Sequence, residues 1–279
     1  METRAESIHM AYDGIAVDYD QHWSVHVREP QQRLTHELAL RRGQRCADLG
    51  CGPGLDTVAM LRAVAPGQVV AVDSSQVMLL TAQQRARAAG LELTLCCEEA
   101  GAFITAMPEH SYDVISLRFC LGYLDWRALL PRLPLALRAG GRIGLLTILS
   151  SSAPQAYAAY EIMVSSLGLP SVTRSAPACL AEMEELLRAS GASVQSAWTH
   201  SFRLMFASGE QLARFLRDTG LATHPLLDQL SDIAAAALWQ RFAEVVEWQR
   251  TPEGIPLDFD LAGLIATRGE LASAPACSE

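Results

Sequence analysis

The chain has no lysine; all 22 of its basic residues are arginine. A lysine nucleophile or Schiff base is therefore excluded. Against 31 acidic residues, those arginines leave a formal net charge of −9. They are scattered, so the basic stripe that grips a nucleic acid backbone is missing. No apolar run reaches the 18 or more residues that a membrane helix needs. The N-terminal "METRAESIHMAYDG" is polar and lacks an apolar signal core. A cytoplasmic protein is expected, with neither membrane nor nucleic acid as partner. The seven cysteines are odd in number and contain no C-x-x-C. A zinc site and a disulfide framework both lack support, and buried reduced thiols are the simpler reading. No metal site is expected.

What is present is a chain of 279 residues, half of them apolar, long enough for a large core. Strand-like and helix-like segments alternate from residue 43 onward. Strands are expected over 46–49, 68–73, 91–96, 112–119 and 142–149, with further strands at 193–206 and 256–269. Helices are expected over 31–41, 55–64, 76–89 (capped by Ser74) and 125–138. Further helices are expected at 155–167, after Cys179, after Ser208 and along an apolar stripe within 223–250. This alternation argues for an α/β fold with a parallel sheet covered on both faces. The expected organisation is an N-terminal cap segment (1–42) and a core (43–149). An insertion (150–177), a core continuation (178–206), a helical insertion (207–255) and a last strand with a loose tail (256–279) follow.

The stretch "RCADLGCGPGLDTVAML" (45–61) joins a strand to a helix through Gly50, Gly52 and Gly54. A dinucleotide fingerprint needs a third glycine three residues after the second. Those places are Leu55 and Thr57, so both registers fail. Pro53 removes an N–H that a pyrophosphate would want. No P-loop G-K-[ST] is present either. Asp48 stands just before the first glycine, where a carboxylate repels phosphate and suits a cationic amino group. Asp73 ends the next strand, where an acid can accept from both ribose hydroxyls. The expected ligand has a ribose, a cation and no phosphate, a description that S-adenosyl-L-methionine fits.

"DLGCGPG" together with "VVAVDSS" resembles the class I S-adenosylmethionine-dependent methyltransferases. The likeness runs over about residues 40–150, with echoes at 178–206 and 256–268. The nearest branch is that of the ubiquinone/menaquinone C-methyltransferases and malonyl-carrier-protein O-methyltransferases. The resemblance implies a seven-stranded, mostly parallel Rossmann-like sheet, with the two insertions forming a helical lid. It implies that Asp48 and Gly50 meet the methionine amino group, that Gly52 and Gly54 let the backbone approach the cofactor, and that Asp73 binds ribose beside Ser74. Met78 would lie against adenine, and Glu98, or alternatively Glu99, would read the adenine amino group. Arg118 and Phe119 would lie along the cofactor, Tyr123 would face the substrate, and Tyr19 would close over the methionine end. Ordinary core packing remains the alternative for Met78, Phe119 and Tyr123.

Methyl transfer from a sulfonium requires alignment and exclusion of water more than a catalytic triad. Where a base is needed, His22 leads, with His26, His200, His224, Glu161 or a buried tyrosine as alternatives. Tyr157, Tyr160, Trp239, Phe242 and Trp248 could line an apolar pocket beneath the lid or could simply bury it. The expected acceptor is a small or carrier-bound organic molecule, methylated at O or C by a monomer or homodimer. Two alternatives stand: S-adenosylmethionine used without methyl transfer, by cyclisation or lysis, and a non-catalytic scaffold that kept the pocket.

Overall fold

The computed structural model describes Asp13 and residues 19–166, 175–221 and 230–269. Seven strands form one sheet: β1 (Arg45–Leu49), β2 (Gln68–Asp73), β3 (Thr94–Cys97), β4 (Tyr112–Arg118), β5 (Leu137–Ile148), β6 (Ala192–Phe206) and β7 (Ile255–Arg268). Their order is β3-β2-β1-β4-β5-β7-β6. Neighbours pair in parallel except that β7 is antiparallel to both β5 and β6. The mostly parallel seven-stranded sheet expected from the sequence is present. The chain reverses its direction of travel between β1 and β4. In open α/β sheets ligands bind outside the carboxyl ends of the strands at such a switch.

The helices are α1 (Arg28–Glu37), α2 (Leu55–Val64), α3 (Gln76–Ala88), α4 (Ala100–Ala106), α5 (Trp126–Leu129), α6 (Leu133–Ala136), α7 (Pro154–Ser166), α8 (Leu180–Ala189), α9 (Gly209–Asp218) and α10 (Asp232–Val246). Strands covered on both faces read as continuous apolar runs. Cys46, Ala47 and Leu49 of β1 and Val114 and Ile115 of β4 are accordingly buried. Leu34 of α1, Leu38 at its C-cap, and Met60 and Val64 of α2 belong to one core cluster. Trp126, Leu133, Met183 and Leu187 belong to another.

Local chemistry explains where the elements depart from expectation. The single helix expected over 125–138 is split into α5, a 3-10 turn (Leu130–Arg132) and α6. Pro131 and Pro134 lack the N–H a continuous helix needs, and their rings clash with the preceding turn. The cap of α3 is Ser75, whose hydroxyl accepts from the Met78 N–H at 3.0 Å, and not Ser74. A helix, α4, begins at Ala100, outside the expected helices.

The β6–β7 ladder continues past the end of β5 by six pairs, from Ser201↔Asp260 to Phe206↔Ile255. At the strand rise this projects about 20 Å beyond the carboxyl edge. Helices of both insertions pack there: α10 lies against α7 and α9. Met163, Leu212, Phe242 and Val246 share one cluster with Phe206, Leu257 and Phe259 of the projection. Phe202 stacks on Phe259 at 5.0 Å, and Trp23 meets Phe259 and Phe119 edge-on at 5.4 and 5.5 Å. His224 and the tail from 270 onward lie outside the described residues.

Candidate active site

The three glycines of the turn after β1 do three different jobs. All have positive φ: +67° at Gly50, +53° at Gly52 and +81° at Gly54. Such a backbone favours glycine because a Cβ crowds the following carbonyl. A Cβ on Gly50 would stand 2.7 Å from that of Cys120, so the turn presses against the segment after β4. A Cβ on Gly54, the N-cap of α2, would stand 2.5 Å from that of Ala82 on α3. Gly54 therefore lets the start of α2 approach α3 closely. A Cβ on Gly52 would meet nothing within 4 Å. Gly52 opens onto a cavity.

That cavity, about 240 Å³, lies over the switch between β1 and β4. Two acids at the ends of neighbouring strands flank it. Asp73 accepts from the Gly52 N–H at 2.8 Å and the Ser75 N–H at 2.9 Å. Burial pushes its carboxyl above the ordinary range, against the pull of those two donors. Asp48 is buried and accepts from the Thr57 hydroxyl at 2.6 Å. Burial raises its pKa as well, opposed first by the nearby Arg118 and then by Thr57. Five carboxylates line the cavity, those of Asp20, Asp48, Asp56, Asp73 and Glu99, with Arg118 as the arginine. Arg118 Nη1 is ion-paired to Asp56 at 2.8 Å. The charge balance suits a cationic ligand and opposes a phosphate.

The N-terminal segment closes one side. Tyr19, Asp20 and Ser24 line the cavity with Phe119, Cys120, Tyr123 and Leu124 from the segment after β4. Burial, and then the proximity of Tyr123 and Asp73, pushes the Tyr19 phenol well above its ordinary range, so it stays protonated. Arg85 of α3 donates to Asp20 at 2.5 Å. Ser75 donates to Asp13. These contacts tie the N-terminal segment to the helix that follows Asp73. Phe119 holds a left-handed φ of +56°, and its N–H donates to the Leu146 carbonyl at 2.7 Å. Strain of this kind in a side-chain-bearing residue persists where the surroundings fix it. Burial pushes the Cys120 thiol up to about 12 and Cys51 well above the ordinary value, so both cavity thiols are neutral.

The structure brings together Tyr19, Asp48, Gly50, Gly52, Asp73, Ser74, Met78, Glu99, Arg118, Phe119 and Tyr123 around one cavity. Gly54 stands behind it. Of the two glutamates, Glu99 lines the cavity, whereas Glu98 is half-buried outside it with the Cys96 thiol beside its carboxylate. His22 sits in the π-helical turn Asp20–Ser24, half-buried and outside the lining. Arg118 borders the cavity, but its guanidinium is turned into the protein and does not extend along the ligand space. Phe242 and Trp239 are buried in the core cluster that the helices of 207–255 share with β6 and β7, and Trp248 is 70% exposed. Sequence reasoning missed Asp56, Gln31, Asp20, Cys51 and Cys120. An acid in the first turn of a helix was a usable signal for Asp56; the others carry none.

A family model described as a methyltransferase domain matches residues 46–141, from β1 into β5. The chain is 28% identical over 216 residues to a trans-aconitate 2-methyltransferase of Variovorax paradoxus (strain S110), covering 75% of this chain and 80% of the relative. It is 34% identical over 118 residues to a demethylmenaquinone methyltransferase of Thermus thermophilus, covering 41% and 52%. The crystal structure of the YcgJ protein of Bacillus subtilis shares the fold, with a TM-score of 0.59 over 88% of this chain and 100% of that one at 18% identity. The strands matched by the family model are the ones that carry the two acids and the open glycine. Residues 46–141 thus match a methyltransferase domain, and the matches together support a class I S-adenosylmethionine-dependent methyltransferase, an enzyme whose cofactor is S-adenosylmethionine.

Proposed function

We propose that the cavity holds S-adenosylmethionine with its ribose hydroxyls on Asp73, its amino group at Asp48 and its adenine between Met78 and Glu99. A methyl group then passes to an oxygen or carbon of a small or carrier-bound organic acceptor. The observation that carries this reading is the placement of two acids, the buried Asp48 and the half-buried Asp73, about Gly52, whose missing Cβ leaves the cavity open. S-adenosylmethionine supplies, when bound, a methyl group already activated on a sulfonium.

The chain's own residues then have three tasks. Asp73, held by two backbone N–H groups, keeps lone pairs for ribose. Tyr19 and Phe119 cover the reacting end and exclude water, which strengthens the electrostatics inside. The neutral thiols of Cys51 and Cys120 do not compete with the acceptor for the methyl group. Of the two residues put forward for the acceptor side, the geometry favours Tyr123, which lines the cavity, over His22, which does not.

The charge of the site also bears on the acceptor. Relatives named for trans-aconitate act on an organic acid. Here the arginine of the described lining is engaged by Asp56, so we favour a neutral or cationic acceptor over a polycarboxylate. Among the described residues no helix is long and apolar enough to cross a membrane. A biosynthetic role in the cytoplasm is proposed.

The test is the nucleoside product. Incubation with S-adenosylmethionine and a metabolite extract should yield S-adenosylhomocysteine with a matching methylated metabolite. Methylthioadenosine in its place would establish cyclisation or lysis instead. No binding of S-adenosylmethionine in calorimetry would leave only a scaffold.

A further inference from the structure

Arg118, at the end of β4, is 6% exposed and hydrogen-bonds groups from three elements. Its Nε donates to the Ser116 hydroxyl of β4 at 3.1 Å. Nη1 meets Asp56 of α2 at 2.8 Å and the Gln31 carbonyl of α1 at 3.1 Å. Nη2 donates to the Thr35 hydroxyl of α1 at 3.0 Å. Gln31 in turn donates from Nε2 to Asp56 at 2.8 Å. The guanidinium therefore faces the protein on every side.

Ser116 lies directly opposite Asp48 in the β1–β4 register. The Thr57 hydroxyl donates to the Asp48 carboxylate at 2.6 Å, and the Ser116 hydroxyl stands beside that carboxylate, where it favours the charged form. Asp48 thus has two hydroxyls for neighbours, and the one on Ser116 is gripped by the buried cation. A buried carboxylate without such company takes up a proton, because burial disfavours the charged form.

We infer that Arg118, acting through Ser116 and braced by Asp56, is a positioning residue that keeps Asp48 an aimed carboxylate for the ammonium of the cofactor's amino-acid arm. This rests on the proposed placement of S-adenosylmethionine. The other titratable groups facing Asp48 are Asp56 on α2 and the thiols of Cys46, Cys51 and Cys120. Burial pushes Cys46 and Cys120 up to about 12 and Cys51 well above its ordinary value, so none of the three thiols changes charge near neutrality.

The experiment compares two ligands in calorimetry: S-adenosylhomocysteine, and methylthioadenosine, which lacks the amino-acid arm. Both are titrated into the wild type, Arg118→Gln, Arg118→Lys and Ser116→Ala from mildly acidic to neutral pH. Arg118→Gln should weaken S-adenosylhomocysteine by about tenfold for each unit by which the acid limb of its binding moves up in pH. Methylthioadenosine affinity should not change. Ser116→Ala should show the same pattern in smaller measure, and Arg118→Lys should restore the acid limb. Equal loss of both ligands with an unaltered pH profile would overturn the inference, because Arg118 would then only hold the fold. Should Arg118→Gln not fold, Ser116→Ala decides alone: an unchanged acid limb overturns the inference. Wild-type protein that binds methylthioadenosine but not S-adenosylhomocysteine would overturn it too. Wild-type protein that binds neither ligand would overturn the placement of the cofactor, and this inference with it.

Discussion

The glycine turn gives a prediction in which two neighbouring, chemically identical substitutions part company. Gly54→Ala and Gly52→Ala each put a Cβ on a left-handed backbone, at φ +81° and +53°. That alone costs roughly 1–2 kcal/mol per residue. At Gly52 the new methyl meets nothing within 4 Å, so the conformational cost is the whole of the stability change. At Gly54 it stands 2.5 Å from the Ala82 Cβ and 2.8 Å from the Ala82 Cα, part of the backbone of α3, which no side-chain rotation relieves. Overpacking of this kind adds about 1–3 kcal/mol, for a total of roughly 2–5 kcal/mol. Urea unfolding of the ligand-free variants reads the difference. Calorimetry with S-adenosylhomocysteine should show the opposite order, since only the Gly52 methyl projects into the ligand space. Equal destabilisation by the two substitutions, or a greater binding loss in Gly54→Ala, would refute the division of labour assigned to these glycines.

Asp73→Ala removes the acceptor of two backbone N–H groups as well as the proposed ribose contacts. It should weaken cofactor binding by roughly 1–3 kcal/mol in calorimetry. Asp48 has a raised pKa in the ligand-free protein, so its contribution to stability is present below the ordinary carboxylate range and is lost as pH rises through the raised value. An ammonium placed beside it lowers that pKa again. Binding of S-adenosylhomocysteine at pH values just above the ordinary carboxylate range should therefore release protons, seen as a buffer-dependent binding enthalpy; a buffer-independent enthalpy would count against the contact. Phe242→Ala should destabilise the protein by about 3–5 kcal/mol because the ring is buried, whereas Trp248→Ser should change stability by no more than about 0.5 kcal/mol. Thermal unfolding of the pair checks this.

The parallel half of the sheet was legible where a strand or helix carried its own punctuation. β2 and α2 match their expected limits at 68–73 and 55–64, since Asp73 and Gly54 mark their ends. The two acids beside the cavity were legible because a motif pins them to strand ends. The break between α5 and α6 was legible in principle, since Pro131 and Pro134 state it. It was overlooked because the apolar periodicity of Leu129, Leu130, Leu133 and Leu137 reads as one helix. The antiparallel sense of β7 depends on which edge of the sheet a late strand reaches, and no local residue encodes that. The network of Arg118, Asp56 and Gln31 joins residues 25 to 87 positions apart in sequence, so only the folded chain assembles it. Aromatic residues in the insertions suggested a pocket, but apolar side chains look alike in a lid's core and on its inner wall.

The central claim is that two acids flanking an open glycine bind the cofactor, and its most direct test is a crystal structure of the complex with S-adenosylhomocysteine. The account predicts ribose hydroxyls within hydrogen-bonding distance of Asp73, the amino group at Asp48, and adenine beside Met78 on the Glu99 side. A nucleoside bound elsewhere, or an amino-acid arm pointing away from Asp48, would contradict it.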